Sequence, residues 1–137
     1  MLTIGKLSRL TGVKVPTIRY YEQVGLLSCP ERSEGGQRIY EMAVGQRLSF
    51  IRHARELGFS LDDIRELLTL ADEPDQSCAA VDEIAKRQLF EVEKRIARLT
   101  ALHTELGRML EQCACQTVST CRVIEVLGDH RLCTNDH

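Results

Sequence analysis

Apolar and polar positions alternate along this chain with a helical period almost throughout. Ile4, Leu7, Leu10 and Val13 fall at helical spacing, and Gly12 marks where a first short helix stops. In the next stretch, VPTIRYYEQVGLL, Pro16 sits where a first helical turn tolerates it and Gly25 where a helix can end. Two short helices around a Gly-containing turn predict a helix-turn-helix. RSEGGQRIY then sets Gly35 and Gly36 between polar and apolar residues, a hairpin signal with Ile39 and Tyr40 suited to the returning strand. Helix, turn, helix and hairpin together read as a winged helix-turn-helix. A further helix is expected from Glu41 to about Leu57 with Gly58 ending it, and Ser60 and Asp63 form a capping box for another, LDDIRELLTL. Pro74 breaks the pattern and opens a linker.

The most regular segment follows. Leu89, Val92, Ile96, Leu99, His103, Leu106 and Leu110 are spaced 3, 4, 3, 4, 3, 4, the a/d seam of a coiled coil. Glu91, Glu93, Lys94, Arg95 and Arg98 fill the other faces, so the seam calls for a partner, and a homodimer is expected. His103 occupies an a position, where a polar residue sets pairing register. The expected fold class is mainly α: a winged helix-turn-helix with connecting helices over residues 1–74, a long coiled-coil dimerisation helix over 75–112, and a loop, short helix and tail over 113–137.

Composition and charge sharpen this picture. The 137 residues carry a net charge of −2, but residues 1–40 hold six Lys/Arg against three acids, while residues 71–137 hold eight against twelve. A basic N-terminal part joined to an acidic remainder suits a polyanion partner at one end only. No apolar run reaches membrane-spanning length, and the opening MLTIGKLSRL lacks the apolar core of a signal sequence, so a cytoplasmic location with no membrane partner is expected.

CACQTVSTC, residues 113–121, gathers three of the six cysteines into nine positions. A disulfide staple, a metal site and a group of small packed hydrophobes compete for this loop, and a reducing compartment favours metal or redox use over the staple. Cys78 lies 35 residues before Cys113, a whole number of heptads. On one continuous helix the two would stand about 52 Å apart, whereas an antiparallel dimer brings Cys78 of one subunit beside the 113–121 loop of the other. Cys29 reads as a small packed hydrophobe. Cys133, His130 and His137 lie in the polar tail GDHRLCTNDH. A zinc enzyme or a metal-storage protein is a competing class, but the loop holds no Asp, Glu or His to act as acid or base, and neither class needs a winged helix-turn-helix.

TIGKLSRLTGVKVPTIRYYEQVGLL, RSEGGQRIY and RLSFIRHARELGFSLDDIRELL, in that order, resemble the MerR family of metal- and stress-responsive bacterial transcription regulators, over nearly the whole chain to about Cys121. The resemblance implies a winged-helix DNA-binding domain, an antiparallel dimerisation helix and an effector loop after it. It also implies a mechanism in which the dimer sits on a promoter whose recognition elements are too far apart and, on binding effector, bends and untwists that DNA until RNA polymerase engages both. Arg19 and Tyr20 on the second helix then face the major groove, Lys14 and Thr17 lie near its start, and Arg38 is a wing contact to phosphate.

Within the family, sensors of monovalent copper share two loop cysteines separated by seven residues, as Cys113 and Cys121 are, but carry serine at the Cys78 position. Sensors of divalent ions carry cysteine there, contributed across the dimer. The resemblance therefore implies a divalent thiophilic effector (zinc, cadmium, lead or mercury) held by Cys78, Cys113 and Cys121, with Cys115 as a further or alternative ligand. Two departures matter. This loop has no histidine and no adjacent cysteine pair, unlike the zinc-specific members. It also matches three cysteines of the iron–sulfur spacing C-x2-C-x-C-x5-C, but Leu110 stands at the first position and a cluster normally takes four thiolates.

Overall fold

The computed structural model describes residues 1–28, 30–112, 117–118 and 121–129, and it divides into two compact units, Met1–Ile84 and Ala85–His137. The first unit begins with β1 (Leu2–Thr3), α1 (Ile4–Thr11) and α2 (Val15–Gln23). Thr3 caps α1 by accepting the Lys6 amide at 3.3 Å. Gly12 ends it in the left-handed region, φ 74°, its amide donating to the Ser8 carbonyl. Glycine is favoured there, because any other side chain strains the left-handed backbone and its Cβ, 2.4 Å from Arg52 Nη1, would push that guanidinium aside.

The wing is the hairpin of β2 (Glu31–Arg32) and β3 (Arg38–Tyr40). Ser33 and Gln37 close its turn, the Ser33 amide donating to the Gln37 carbonyl at 2.8 Å, and Arg32 Nη1 donates to the Gly36 carbonyl at 2.8 Å. β3 also pairs antiparallel with β1, Leu2 opposite Tyr40 and Thr3 opposite Ile39, giving a three-stranded sheet of order β1-β3-β2. The sequence pattern does not announce β1, since two residues are too few to establish a period.

Two helices complete the unit, α3 (Met42–Glu56) and α4 (Leu61–Ala71). The expected cap is present: Ser60 Oγ accepts the Asp63 amide at 3.1 Å. Leu7, Ile18, Leu26, Tyr40, Leu48, Ile51 and Ile64 are all at most 2% exposed and anchor one core drawn from α1, α2, β3, α3 and α4. Three arginines then fasten this core with bonds to backbone carbonyls. Arg47 Nε donates to Leu26 O at 3.1 Å, Arg52 Nη1 to Thr11 O at 2.6 Å and Arg65 Nη2 to Val24 O at 2.8 Å. Each carbonyl lies at or just past the end of α1 or α2, where helix geometry leaves acceptors without partners.

α5 (Ala79–Glu111) is a single helix of 33 residues, about 50 Å long, that begins in the first unit and forms most of the second. Its seam residues Leu89, Ile96, Leu99, Leu106 and Leu110 are each 56–68% exposed on the single chain. A row of large apolar side chains left this open on one helix face fits a coiled-coil partner. α6 (Arg122–Gly128) follows in the second unit, where Glu105, Met109 and Val126 are buried.

Candidate functional site

α2 sorts its side chains by face. Ile18 and Tyr21 point into the core, whereas Arg19 and Tyr20 are exposed. The tyrosine pair is thus resolved in favour of Tyr20 as the outward residue, with Tyr21 a core residue 8% exposed. Lys14 is exposed at the N-cap of α2 and makes no side-chain cap bond, and Thr17 is half-buried one turn on. Four of the five residues expected to meet DNA therefore cluster on the first two turns of one helix.

The fifth is held differently. Arg38, on β3, is half-buried, and its Nε lies 3.7 Å from a carboxylate oxygen of Glu22 on α2. Glu22 also accepts the hydroxyl proton of Tyr40. Burial above all, and then this contact with a carboxylate, raise the Tyr40 phenol well above its ordinary pKa, so it stays a neutral donor. One carboxylate on α2 thereby hydrogen-bonds Tyr40 of the wing strand and stands in longer-range ion-pair contact with Arg38, tying the wing to the helix beside it. Sequence reasoning missed Glu22, whose only sequence signal is being an acid on an otherwise basic segment.

Two of the four expected metal ligands lie among the described residues. Cys78 is an exposed free thiol one residue before α5, where its carbonyl accepts the Asp82 amide at 2.9 Å. Cys121 is half-buried and outside any disulfide, one residue before α6, its carbonyl accepting the Glu125 amide at 3.0 Å. Neither is inside a helix, so a heptad phase drawn through Cys78 does not describe its surroundings. Ser77 Oγ takes the Ala79 amide at 3.1 Å and starts α5 just beyond it. Cys113 and Cys115 lie outside the described residues, as do Cys29, Cys133, His130 and His137. Among the described residues no three His, Cys, Asp or Glu side chains gather closely enough to hold an ion. The thiols themselves fit a soft ion, which takes sulfur in preference to oxygen.

No described helix is long and apolar enough to cross a membrane. Residues 2–70 match the model of the MerR HTH family regulatory protein, and residues 46–109 match that of the MerR DNA-binding region. The chain is 42% identical over 131 residues to the HTH-type transcriptional regulator ZntR of Escherichia coli K12, covering 93% of this chain and 92% of that one. Among solved structures it is similar to the transcription regulator PbrR691 of Ralstonia metallidurans CH34 in complex with lead(II), at 37% identity and a TM-score of 0.78, covering 93% of this chain and 99% of that one. The regulator MerR of Bacillus megaterium MB1 in complex with mercury(II) is similar at 28% identity and a TM-score of 0.65, covering 90% and 95%. These relatives are regulators and not enzymes.

Proposed function

Because the chain belongs to the MerR family of HTH regulatory proteins, we propose that it is a metal-responsive transcription regulator, a homodimer that binds promoter DNA and answers a divalent thiophilic ion: zinc, cadmium, lead or mercury. One observation carries the reading. Cys78 is an exposed free thiol at the head of a helix whose apolar seam lies open along its length. A second copy packed antiparallel on that seam would set Cys78 of one subunit near the 113–121 loop of the other. Cys78, Cys113 and Cys121 would then hold the ion, with Cys115 as a further or alternative ligand. A bound ion supplies a thiolate-rich bond between subunits, and the relatives that bind lead and mercury support this ligand chemistry.

The DNA step falls to Lys14, Thr17, Arg19 and Tyr20 on α2, with Arg38 of the wing reaching phosphate from its place beside Glu22. Deforming a promoter costs several kcal/mol, so metal must alter how the two DNA-binding units are held. The segment around Pro74 and α5 is the natural lever, and RNA polymerase is the partner that reads the result. Arg19→Ala is expected to cost about 1–3 kcal/mol per half-site, an affinity loss of about 30-fold or more for a dimer. Gel-shift titration checks it, with an unchanged melting temperature expected because Arg19 is exposed.

The deciding experiment is transcription from the cognate promoter across Zn²⁺, Cd²⁺, Pb²⁺, Hg²⁺ and Cu⁺, with footprinting in each state. Cys78→Ser is expected to abolish the divalent response and leave the footprint intact. A full divalent response in that variant refutes the shared site. A response to Cu⁺ alone replaces the divalent reading with a monovalent one, and failure to protect promoter DNA with or without metal refutes the regulator.

A further inference from the structure

Gln112 is the residue before Cys113, and Arg122 is the residue after Cys121. Their side chains meet: Arg122 Nε donates to Gln112 Oε1 at 3.0 Å, across ten positions of sequence. The same oxygen accepts from Arg108 Nη1 at 3.1 Å. Arg108 in turn grips both oxygens of Glu105, Nε to Oε2 at 3.2 Å and Nη2 to Oε1 at 2.5 Å. Beyond Arg122, its Nη1 pairs with Glu125 at 3.0 Å. Five polar side chains, Glu105, Arg108, Gln112, Arg122 and Glu125, are thus linked contact by contact from α5 to α6, and two of them adjoin Cys113 and Cys121 in sequence.

The anchor gives this line its strength. An ion pair between exposed side chains contributes little, because both ends are mobile and solvated. Glu105, however, is 2% exposed, and a buried carboxylate met at both oxygens by one guanidinium holds it in a defined geometry. Arg108 is therefore fixed in place, and it fixes Gln112. Glutamine suits the junction, since one carbonyl oxygen with two lone pairs accepts from two cations while adding no charge of its own.

We infer that the Gln112–Arg122 contact is a latch at the base of the thiol loop, holding the residues that adjoin Cys113 and Cys121 together before metal arrives. This rests on the reading of residues 113–121 as part of the metal site. Closing a nine-residue loop costs conformational entropy, and a ligand binds more tightly when the fold has already met that cost. Gln112 and Arg122 are positioning residues. Their side chains are bonded to each other and to Arg108 and Glu125, leaving the ion to the thiols.

Two measurements on the full chain test the latch. The first needs no metal: amide hydrogen exchange over residues 123–129 is expected to be about 10-fold faster in Gln112→Ala than in the wild type, because α6 loses its tie to α5. The second is the Cd²⁺ dissociation constant by chelator competition. Gln112→Ala and Arg122→Ala are each expected to weaken it about 10-fold, the double variant no further than the weaker single variant, and Gln112→Glu, which keeps the acceptor, to stay within about 2-fold of wild type. Unchanged exchange in Gln112→Ala overturns the latch. So do an unchanged Cd²⁺ constant in either single variant and fully additive losses in the double variant. A wild type that takes no Cd²⁺ overturns the metal-site reading and the latch with it, whereas a wild type that binds and is matched by Gln112→Ala overturns the latch alone.

Discussion

Leu99→Asp is expected to convert the proposed dimer to monomer at micromolar concentration and to lower operator affinity at least about 100-fold. Leu99 lies mid-seam on α5 and is 63% exposed on the single chain, so the substitution leaves the isolated fold nearly untouched. In a two-fold dimer it acts twice. Each copy loses an apolar side chain worth about 1.5–3 kcal/mol on burial and gains a carboxylate with no cation at a seam position. An unpaired charge in such a place costs several kcal/mol. Promoter binding falls with dimerisation because two half-sites must be engaged at once. Light scattering reads the mass and gel shift the affinity, while circular dichroism of the variant is expected to retain the helical signal. A Leu99→Asp protein that remains dimeric with wild-type operator affinity would remove α5 as the dimer interface.

Ile18→Ala is expected to destabilise the first unit by about 2–5 kcal/mol, lowering the melting temperature by at least about 10 °C. Ile18 is fully buried on α2, in the cluster that also holds Leu7, Leu48, Ile51 and Ile64 from α1, α3 and α4. Truncating it opens a cavity in close-packed surroundings that relax only in part. The neighbouring Arg19 gives the contrast. Its truncation is expected to weaken DNA binding with no change in melting, so two adjacent residues on one helix separate folding from recognition. Thermal denaturation of both variants checks this, and equal melting shifts would contradict the face assignment of α2.

Much of this arrangement was legible in order of residues. Helix ends are local events: Gly12 and Gly58 stop α1 and α3, and Ser60 starts α4 with a bond to an amide three residues away. The hairpin follows from Gly35–Gly36, and the α5 seam from a repeat sustained over three heptads. In each case the cause and the effect lie within a few residues, or repeat often enough to stand out from chance.

Long-range placement was another matter. Nothing near Tyr20 and Tyr21 says which of two adjacent aromatics faces inward; packing of α2 on its neighbours decides it. Arg38 reads as a free wing cation until β3 sets it beside Glu22. Arg52 and Arg65 find carbonyls 41 positions earlier in the chain, and Arg122 finds Gln112 ten positions back. The sequence by itself determined where helices begin and end, which face of α5 is apolar and which residues carry thiols. Only the tertiary structure decided which arginines are spent on backbone carbonyls, which tyrosine is outward and which side chain Arg122 meets, because a guanidinium carries the same charge and reach wherever it stands and its partner exists only once the chain has folded.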